Sequence, residues 1–185
     1  MDVFEAIYQR HSINEVKTEA VPRELIEKLL SAAVQAPNHH KVRPWRFVVL
    51  TGAAREKLGE ALVQSLKVRK PAATDDEAQR ERLKPLRAPV LIAVGVDKPQ
   101  LPNVLEIENV CATAAAVQNL LLAAHASGLA AKWRTGTAAT DPMIKQFLGF
   151  ASDQHVIGFI YVGYPQETAV PRERPSFEDR MVWRE

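Results

Sequence analysis

Apolar and polar residues in the first quarter of the chain follow the spacing of two helices and then of a strand. Asp2 can cap a short first helix that ends near Arg10. Pro22 can open a second helix, whose apolar residues recur every three or four positions until Pro37 stops it. A basic loop then leads into residues 45–50, whose aromatic and β-branched side chains are typical of a strand. The pattern therefore predicts helix, helix and strand in that order.

Two uninterrupted apolar stretches later in the chain, residues 88–96 and 156–164, predict buried strands, because they are about half as long as a membrane span. Between them lies the longest helical segment, residues 104–127. It is rich in alanine, which predicts a central helix or a subunit contact, with its single cysteine packed in the core. A short strand or loop at 130–135 and a capped helix at 141–149 follow. This order indicates a mixed α/β or α+β layered fold.

Two segments lack a clear apolar pattern. Residues 67–87 are charged and broken by prolines, which predicts a solvated, mobile excursion. The tail, residues 163–185, contains Pro165, Pro171 and Pro175 and predicts an extended C-terminal arm that must pack against something. The chain as a whole, residues 1–185, is expected to form one domain.

Composition narrows the class of protein. With 185 residues, 46% apolar and 25% charged, the chain has the make-up of a soluble globular domain rather than a disordered one. The 24 Lys and Arg residues nearly cancel the 22 Asp and Glu residues, so no overall field favours a nucleic acid or an anionic membrane. One cysteine cannot form an intramolecular disulfide, and the acidic start lacks the pattern of a secretion signal. We therefore expect a cytoplasmic protein.

Several common kinds of site are excluded by the motif search. The eight glycines form no G-x-G-x-x-G, G-x-x-x-x-G-K-[ST] or G-x-S-x-G motif, so the standard backbone cradles for dinucleotides and nucleoside triphosphates are missing from the sequence. The five histidines include no H-x-x-x-H pair, so no metal site is predicted. If a phosphate binds, side chains must do most of the holding.

A dense set of hydrogen-bond donors stands at the end of the first predicted helix. Arg10, His11 and Ser12 place a permanent cation, a titratable cation and a hydroxyl in consecutive positions. A phosphate monoester dianion needs such a set. Taken alone, the triplet is equally compatible with a solvated helix end. Two other blocks of the sequence favour the binding interpretation.

These two further blocks are residues 36–49 and 119–136. The first joins a proline-stopped helix, a polar loop and a Pro-Trp-x-Phe strand start, and the second joins a Leu-rich helix to a W-x-T-G turn. With the Arg-x-Ser triplet and a final strand ending in Gly163, these blocks resemble the flavin-dependent nitroreductase family, specifically its short bacterial members. The resemblance covers nearly the whole chain.

The resemblance implies an α+β fold with a mostly antiparallel central sheet flanked by helices, and an intertwined homodimer that binds one FMN per subunit at the interface. It also implies NAD(P)H as co-substrate and a small electron-poor acceptor, such as a nitroaromatic or a quinone, reduced in ping-pong order by hydride transfer through the flavin. No side chain is expected to act as a catalytic acid or base. The expected cofactor-binding residues are Arg10, His11 and Ser12 at the phosphate, Gln35 and His39 reaching the flavin from the partner subunit, and Trp133, Arg134 and Thr135 in the turn against the cofactor.

The sequence departs from the family pattern at two places. Many relatives have a second arginine where this chain has His11, which implies that the grip on the phosphate weakens as the pH rises and the imidazole loses its charge. Many also have Asn and Gln before the Pro-Trp pair, where this chain has Lys41 and Arg43, so contact between these two residues and the flavin ring stays open.

Two alternative functions also fit the sequence. The basic loop 39–46, with Trp45 as a stacking residue, matches a non-catalytic protein that binds single-stranded nucleic acid. The chain can also be a flavin-binding protein without catalysis. For the two tryptophans near the predicted site, Trp45 and Trp133, both pocket lining and simple core packing remain open.

Overall fold

A four-stranded sheet forms the centre of the computed structural model, which describes residues 1–167 and 173–185. The strands are β1 (Trp45–Thr51), β2 (Val90–Val96), β3 (Ala130–Arg134) and β4 (His155–Gly163). Their spatial order is β1-β2-β4-β3, and all three pairings are antiparallel. The predicted α+β class, the antiparallel sheet and the position of each strand are confirmed, and residues 130–134 form a strand rather than a loop.

Helices cover both faces of this sheet. They are α1 (Val3–Gln9), α2 (Arg23–Ala33), α3 (Ala53–Arg69), α4 (Asp75–Leu83), α5 (Glu106–Ala126), α6 (Thr137–Thr140) and α7 (Pro142–Phe147). The Asp2 side chain accepts a hydrogen bond from the Glu5 N–H at the start of α1, and Asp141 does the same for two N–H groups at the start of α7. The predicted caps are therefore confirmed.

The two faces of the sheet bury separate apolar clusters. On one face α2 and α5 pack against alternate residues of β2 and β4, with Leu29, Ile92 and Leu120 fully buried. On the other face Leu58 of α3 and Ile144 of α7 belong to the same buried cluster as Leu91 of β2. By length and composition α5 is apolar enough to cross a membrane, yet one of its faces belongs to the first cluster, so it is the core helix of a soluble domain.

The alanine-rich helix α5 presents its cysteine on the outside. Cys111 is exposed, so its prediction as a core residue is wrong. Ala112, the next residue, is buried instead. Ile107 is 61% exposed near the start of the same helix. An alanine-rich sequence has little contrast between its faces, and for that reason it does not indicate which residues turn inward.

Residues 67–87 are mostly exposed, as expected of a solvated excursion, but most of them are helical. The helix α3 continues to Arg69, and α4 begins with a capping box in which Thr74 and Glu77 satisfy each other's backbone N–H groups. Arg82 of α4 forms an ion pair with Glu60 of α3, with 2.7 Å between Nε and Oε1. The charged residues here cap and connect two packed helices rather than solvate a loop.

The chain beyond β4 first stays on the domain and then becomes exposed. Val16 and Pro165 form an antiparallel bridge, and the Lys17 N–H donates to the Tyr164 carbonyl oxygen at 2.8 Å. Pro171 lies outside the described residues. In the final segment, Val182 and Trp183 are 82% and 79% exposed. Packing of this arm against another surface stays a prediction.

Candidate functional site

Arg10 ends α1 and carries an unusual side chain. Its backbone N–H closes the helix on the Ala6 carbonyl oxygen at 3.0 Å, while its side chain turns inward and is half-buried. The Nε atom is buried, and no group in the described part of the chain accepts its hydrogen bond. Burial, and to a smaller degree the charge of Arg174, lower the pKa of Arg10. A buried donor without an acceptor is costly, so this position fits an anion.

His11 stands next to it in a defined tautomer. Its Nδ1 lies 2.9 Å from the carbonyl oxygen of Gln9. Because a carbonyl oxygen can only accept, Nδ1 must carry the proton. The other ring nitrogen, Nε2, is then a lone pair in the neutral ring and a donor only in the imidazolium. His11 can therefore donate through Nε2 to a phosphate oxygen only when it is charged, and Ser12 beside it is exposed.

Two residues that sequence reasoning missed join Arg10 and His11. Arg174, in the tail, donates from Nη2 to the carbonyl oxygen of Arg10 at 3.1 Å. His125, in the last turn of α5, has a buried Nε2 that no described residue contacts by a hydrogen bond. Burial first, then the charges of His11 and Arg10, lower the pKa of His125. No local sequence signal marks either residue, since one lies in a tail and the other ends an alanine-rich helix.

Together these groups form a cationic cluster, defined here as Arg10, His11, His125 and Arg174. An open cavity of about 580 Å³ lies beside it, lined in part by His11, Lys17 and His125. That volume falls in the range of ligand-binding clefts. Guanidinium and imidazolium donors with unfilled hydrogen-bonding capacity match a phosphate monoester, so the residues present fit the phosphate of FMN. Across the described ranges, no group of three or more His, Cys, Asp or Glu is placed to hold a metal ion.

The strand β3 extends from this cluster along the open edge of the sheet. The Ile13 N–H lies 3.4 Å from the Ala131 carbonyl oxygen, which brings the segment after Ser12 onto the strand. In an antiparallel pair, alternate residues turn their backbone groups outward, so Trp133 also presents its N–H and C=O at this edge. Thr135, just beyond the strand, is exposed. The edge therefore offers backbone donors and acceptors in line with the cluster.

The Trp133 ring is fixed in place by strand β4. Its Nε1 donates to the Ile157 carbonyl oxygen at 2.9 Å. The next residue, Gly158, has φ of +146°, and a Cβ there would come within 2.4 Å of the indole nitrogen. Glycine is required at this position both for the backbone angle and for the close approach. Arg134, on the other face of β3, lies near Tyr161, whose pKa is raised chiefly by burial.

Gln35 and His39 follow the end of α2, and only His39 contacts the amino end of α5. Gln35 is exposed after α2, and its Nε2 donates to the Ser31 carbonyl oxygen at 3.2 Å. His39 opens a short 3-10 turn, and its Nε2 lies 3.7 Å from a carboxylate oxygen of Glu108 in the first turn of α5.

The loop that carries His39 has a strained backbone. His40, Lys41 and Arg43 have φ angles of 47°, 57° and 52°, a region that side-chain-bearing residues rarely adopt. The Arg43 N–H donates to Asn38 Oδ1 at 2.8 Å, and His40 Nε2 lies 2.8 Å from the Asn103 amide nitrogen. These side-chain contacts hold the loop in its shape, with Lys41 and Arg43 exposed.

The predicted site residues thus fall into two groups at opposite ends of one helix. Glu108, which contacts His39, and His125, in the cationic cluster, are seventeen residues apart on α5. At about 1.5 Å of rise per residue this is about 25 Å. Arg10, His11, Ser12 and the 133–135 turn share one edge of the domain, whereas His39 lies beyond reach of it.

Trp45 does not belong to either group. It is only 6% exposed and packs in the core beside β2. Its interpretation as a residue that stacks on single-stranded nucleic acid is therefore wrong, because a base cannot reach its ring. Core packing, the other interpretation of this tryptophan, is confirmed.

Comparison with known proteins gives one consistent family. Residues 7–164 match the model of the Nitroreductase family. The chain is 30% identical over 167 residues to the Escherichia coli (strain K12) protein named "Putative NAD(P)H nitroreductase YdjA", with 90% of each chain covered.

Solved structures agree with that result. A nitroreductase-like family protein from Bacillus cereus matches with a TM-score of 0.86 and 25% identity, covering 100% of this chain and 97% of the other. A Desulfovibrio desulfuricans protein solved in complex with FMN matches with a TM-score of 0.75 and 27% identity, covering 100% and 97%.

Proposed function

Because the chain belongs to the nitroreductase family, we propose that it is an FMN-dependent oxidoreductase that uses NAD(P)H to reduce small electron-poor acceptors. Nitroaromatics and quinones are the acceptor classes proposed, reduced in ping-pong order in the cytoplasm. The observation that carries this proposal is the buried Arg10 Nε, a donor left without an acceptor inside a cluster of cations. The FMN complex of a relative supports the identity of the anion.

The chain's own residues bind and orient the cofactor in this proposal. Arg10, His11 and Ser12 hold the phosphate, and the tail residue Arg174 adds a further positive charge beside it. FMN, when bound, supplies the two-electron chemistry that no side chain of the protein can perform. The outward backbone groups of Trp133, with Arg134 and Thr135 next to them, position the ring at the β3 edge.

We further propose a homodimer in which each cofactor site is built from both subunits. The separation of about 25 Å along α5 supports this, because it keeps His39, at Glu108, away from the cationic cluster of its own chain. Exposed apolar residues supply a surface for the partner: Phe4 and Tyr8 of α1 are 65% and 71% exposed, and Trp183 of the tail is 79% exposed. An obligate interface of about 2,000 Å² or more is expected.

The cofactor and the activity are tested together by absorbance spectroscopy. The purified protein is expected to be yellow, or to become so with FMN, and its flavin absorbance is expected to bleach when NADH or NADPH is added. An oxidised acceptor should then restore the colour. Protein that cannot take up FMN contradicts the proposal. Flavin that binds but is not reduced by either nicotinamide supports the non-catalytic flavin-binding alternative.

The shared site is tested by mixing two defective subunits. The first variant is Arg10→Ala and the second is Gln35→Ala/His39→Ala, each expected to lose FMN as a homodimer. If the two groups meet across the interface, a mixed dimer regains one complete site and binds one FMN. If each chain uses only its own residues, the mixed dimer has no complete site. A monomeric mass by sedimentation at micromolar concentration also contradicts the proposal.

A further inference from the structure

His125 is the least explained polar side chain near the cationic cluster. It lies in the last turn of α5, and its Nε2 is buried with no hydrogen-bond partner among the described residues. An imidazole nitrogen buried for packing alone normally finds a backbone or side-chain partner. The neighbouring Arg10 Nε is buried and unpartnered in the same way. Two such orphaned atoms on adjacent elements, α5 and the end of α1, indicate that a shared ligand belongs between them.

The charges around His125 define which ligand fits. Four cationic groups lie near it: Arg10 and His11 after α1, Lys17 in the lining of the same cavity, and Arg174 on the Arg10 backbone. Two carboxylates also lie near it: Glu5 on α1, whose charge has the smallest effect on His125, and Glu167 in the cavity lining. In the absence of an anion, Arg10 and His11 together with burial disfavour a proton on His125. An anion placed among these groups reverses that balance, because it attracts the imidazolium.

We propose that His125 is a further binding residue for the phosphate of the cofactor, and that it takes up a proton from solvent when the phosphate binds and then donates a hydrogen bond from Nε2. The inference rests on the proposed function, since the phosphate is that of FMN. It adds a residue from the carboxyl end of α5 to the Arg10–Ser12 triplet. The helix terminus itself favours a cation at this position.

The first test compares FMN with riboflavin, which lacks the phosphate, on the cofactor-free protein. For His125→Gln, the dissociation constant for FMN is expected to rise about tenfold at pH 6.5, as for the loss of one charge-assisted hydrogen bond. The rise should be smaller at pH 8.5, where the wild-type imidazole is neutral. Riboflavin affinity should not change, which also verifies that the variant is folded. His155→Gln, at the exposed Glu106 pair, is the matched control and should bind FMN as the wild type does.

The second test counts protons. Calorimetric titration with FMN at pH 7.5 in buffers of different ionisation enthalpy gives the number of protons taken up on binding. Wild type is expected to take up more than His125→Gln, and His11→Gln should retain the part that belongs to His125. Equal FMN affinity and equal proton uptake in wild type and His125→Gln overturn the inference and leave the proposed function intact. Failure of the wild type to bind FMN contradicts the proposed function itself.

Discussion

The two ends of helix α5 differ in how completely their polar groups are satisfied. At the amino end, the loop of residues 38–43 has three residues with positive φ, yet its side chains have partners: Asn38 accepts from the Arg43 N–H, His40 contacts Asn103, and His39 faces Glu108 of α5. At the carboxyl end, the backbone is ordinary helix and turn, whereas Arg10 and His125 each keep a buried nitrogen without a partner.

This difference separates two ways of preparing a binding site. In the loop, the free-energy cost is backbone strain. Because the loop is already held in one shape, it can place a residue against a ligand without further ordering. In the cationic cluster, the free-energy cost is repulsion between like charges and unsatisfied hydrogen-bond donors. Binding of an anion removes both. We therefore expect changes at the carboxyl end to act on ligand affinity directly, and changes at the amino end to act through loop geometry.

The largest effect is expected for Arg10→Ala. Removing one charge-assisted contact should cost about 1.5–3 kcal/mol, or roughly tenfold to a hundredfold in FMN affinity. Fluorescence titration of the cofactor-free protein measures it. Arg23→Ala, which removes an exposed arginine paired with Glu27 on α2, is the control and should leave FMN affinity unchanged. An unaltered titration curve for Arg10→Ala contradicts the role given to this residue.

A smaller effect is expected for Asn38→Ala at the other end. This change removes the acceptor for the Arg43 N–H and frees the strained loop, a loss of about 0.5–1.5 kcal/mol of local stability. Faster hydrogen exchange in residues 38–43 is the direct readout, with a few-fold loss of FMN affinity in the dimer. Asn38→Asp keeps the acceptor oxygen and should restore both. If Asp fails to rescue the exchange rate, the hydrogen bond does not hold the loop.

The smallest effect is a pH dependence of the cofactor-free protein. Burial and the charges of His11 and Arg10 lower the pKa of His125 in the folded chain, so near pH 6 the unfolded chain binds more protons. Stability should therefore fall as the pH drops from about 7.5 to about 5.5, through the ordinary range of histidine. Urea unfolding at the two pH values measures the free energy of unfolding of wild type and of His125→Gln. The change in this free energy with pH should be smaller in the variant. An identical pH dependence in both proteins assigns the effect to other groups.

Local sequence patterns predicted most of the elements because their causes are local. Asp2 and Asp141 cap helices through atoms two or three residues away, and the apolar composition of the strands is enough to predict them. The same reasoning missed the helix in residues 67–87, although most of these residues are exposed as expected. There the ion pair between Arg82 and Glu60 connects two helices across twenty-two residues of chain, which no local window detects.

The candidate site likewise contains residues that a local sequence signal marks and residues that it does not. Arg10, His11 and Ser12 were identifiable because they are consecutive and chemically dense. His125 and Arg174 were not, because an isolated histidine or arginine carries no signal until another element packs against it. The exposure of Cys111 was missed for a related reason, since a helix made largely of alanine gives periodicity little contrast.

The sequence by itself determined most of the elements, two of the helix caps, the donor triplet and the family, all of which follow from neighbouring residues or from their order along the chain. Only the tertiary structure decided that Arg174 meets Arg10, 164 residues away, and that the Nε2 of His125 is buried nearby. It also decided that His39 stands about 25 Å from that cluster along α5. Such placements depend on which faces pack together, and packing is a property of the whole chain rather than of any segment.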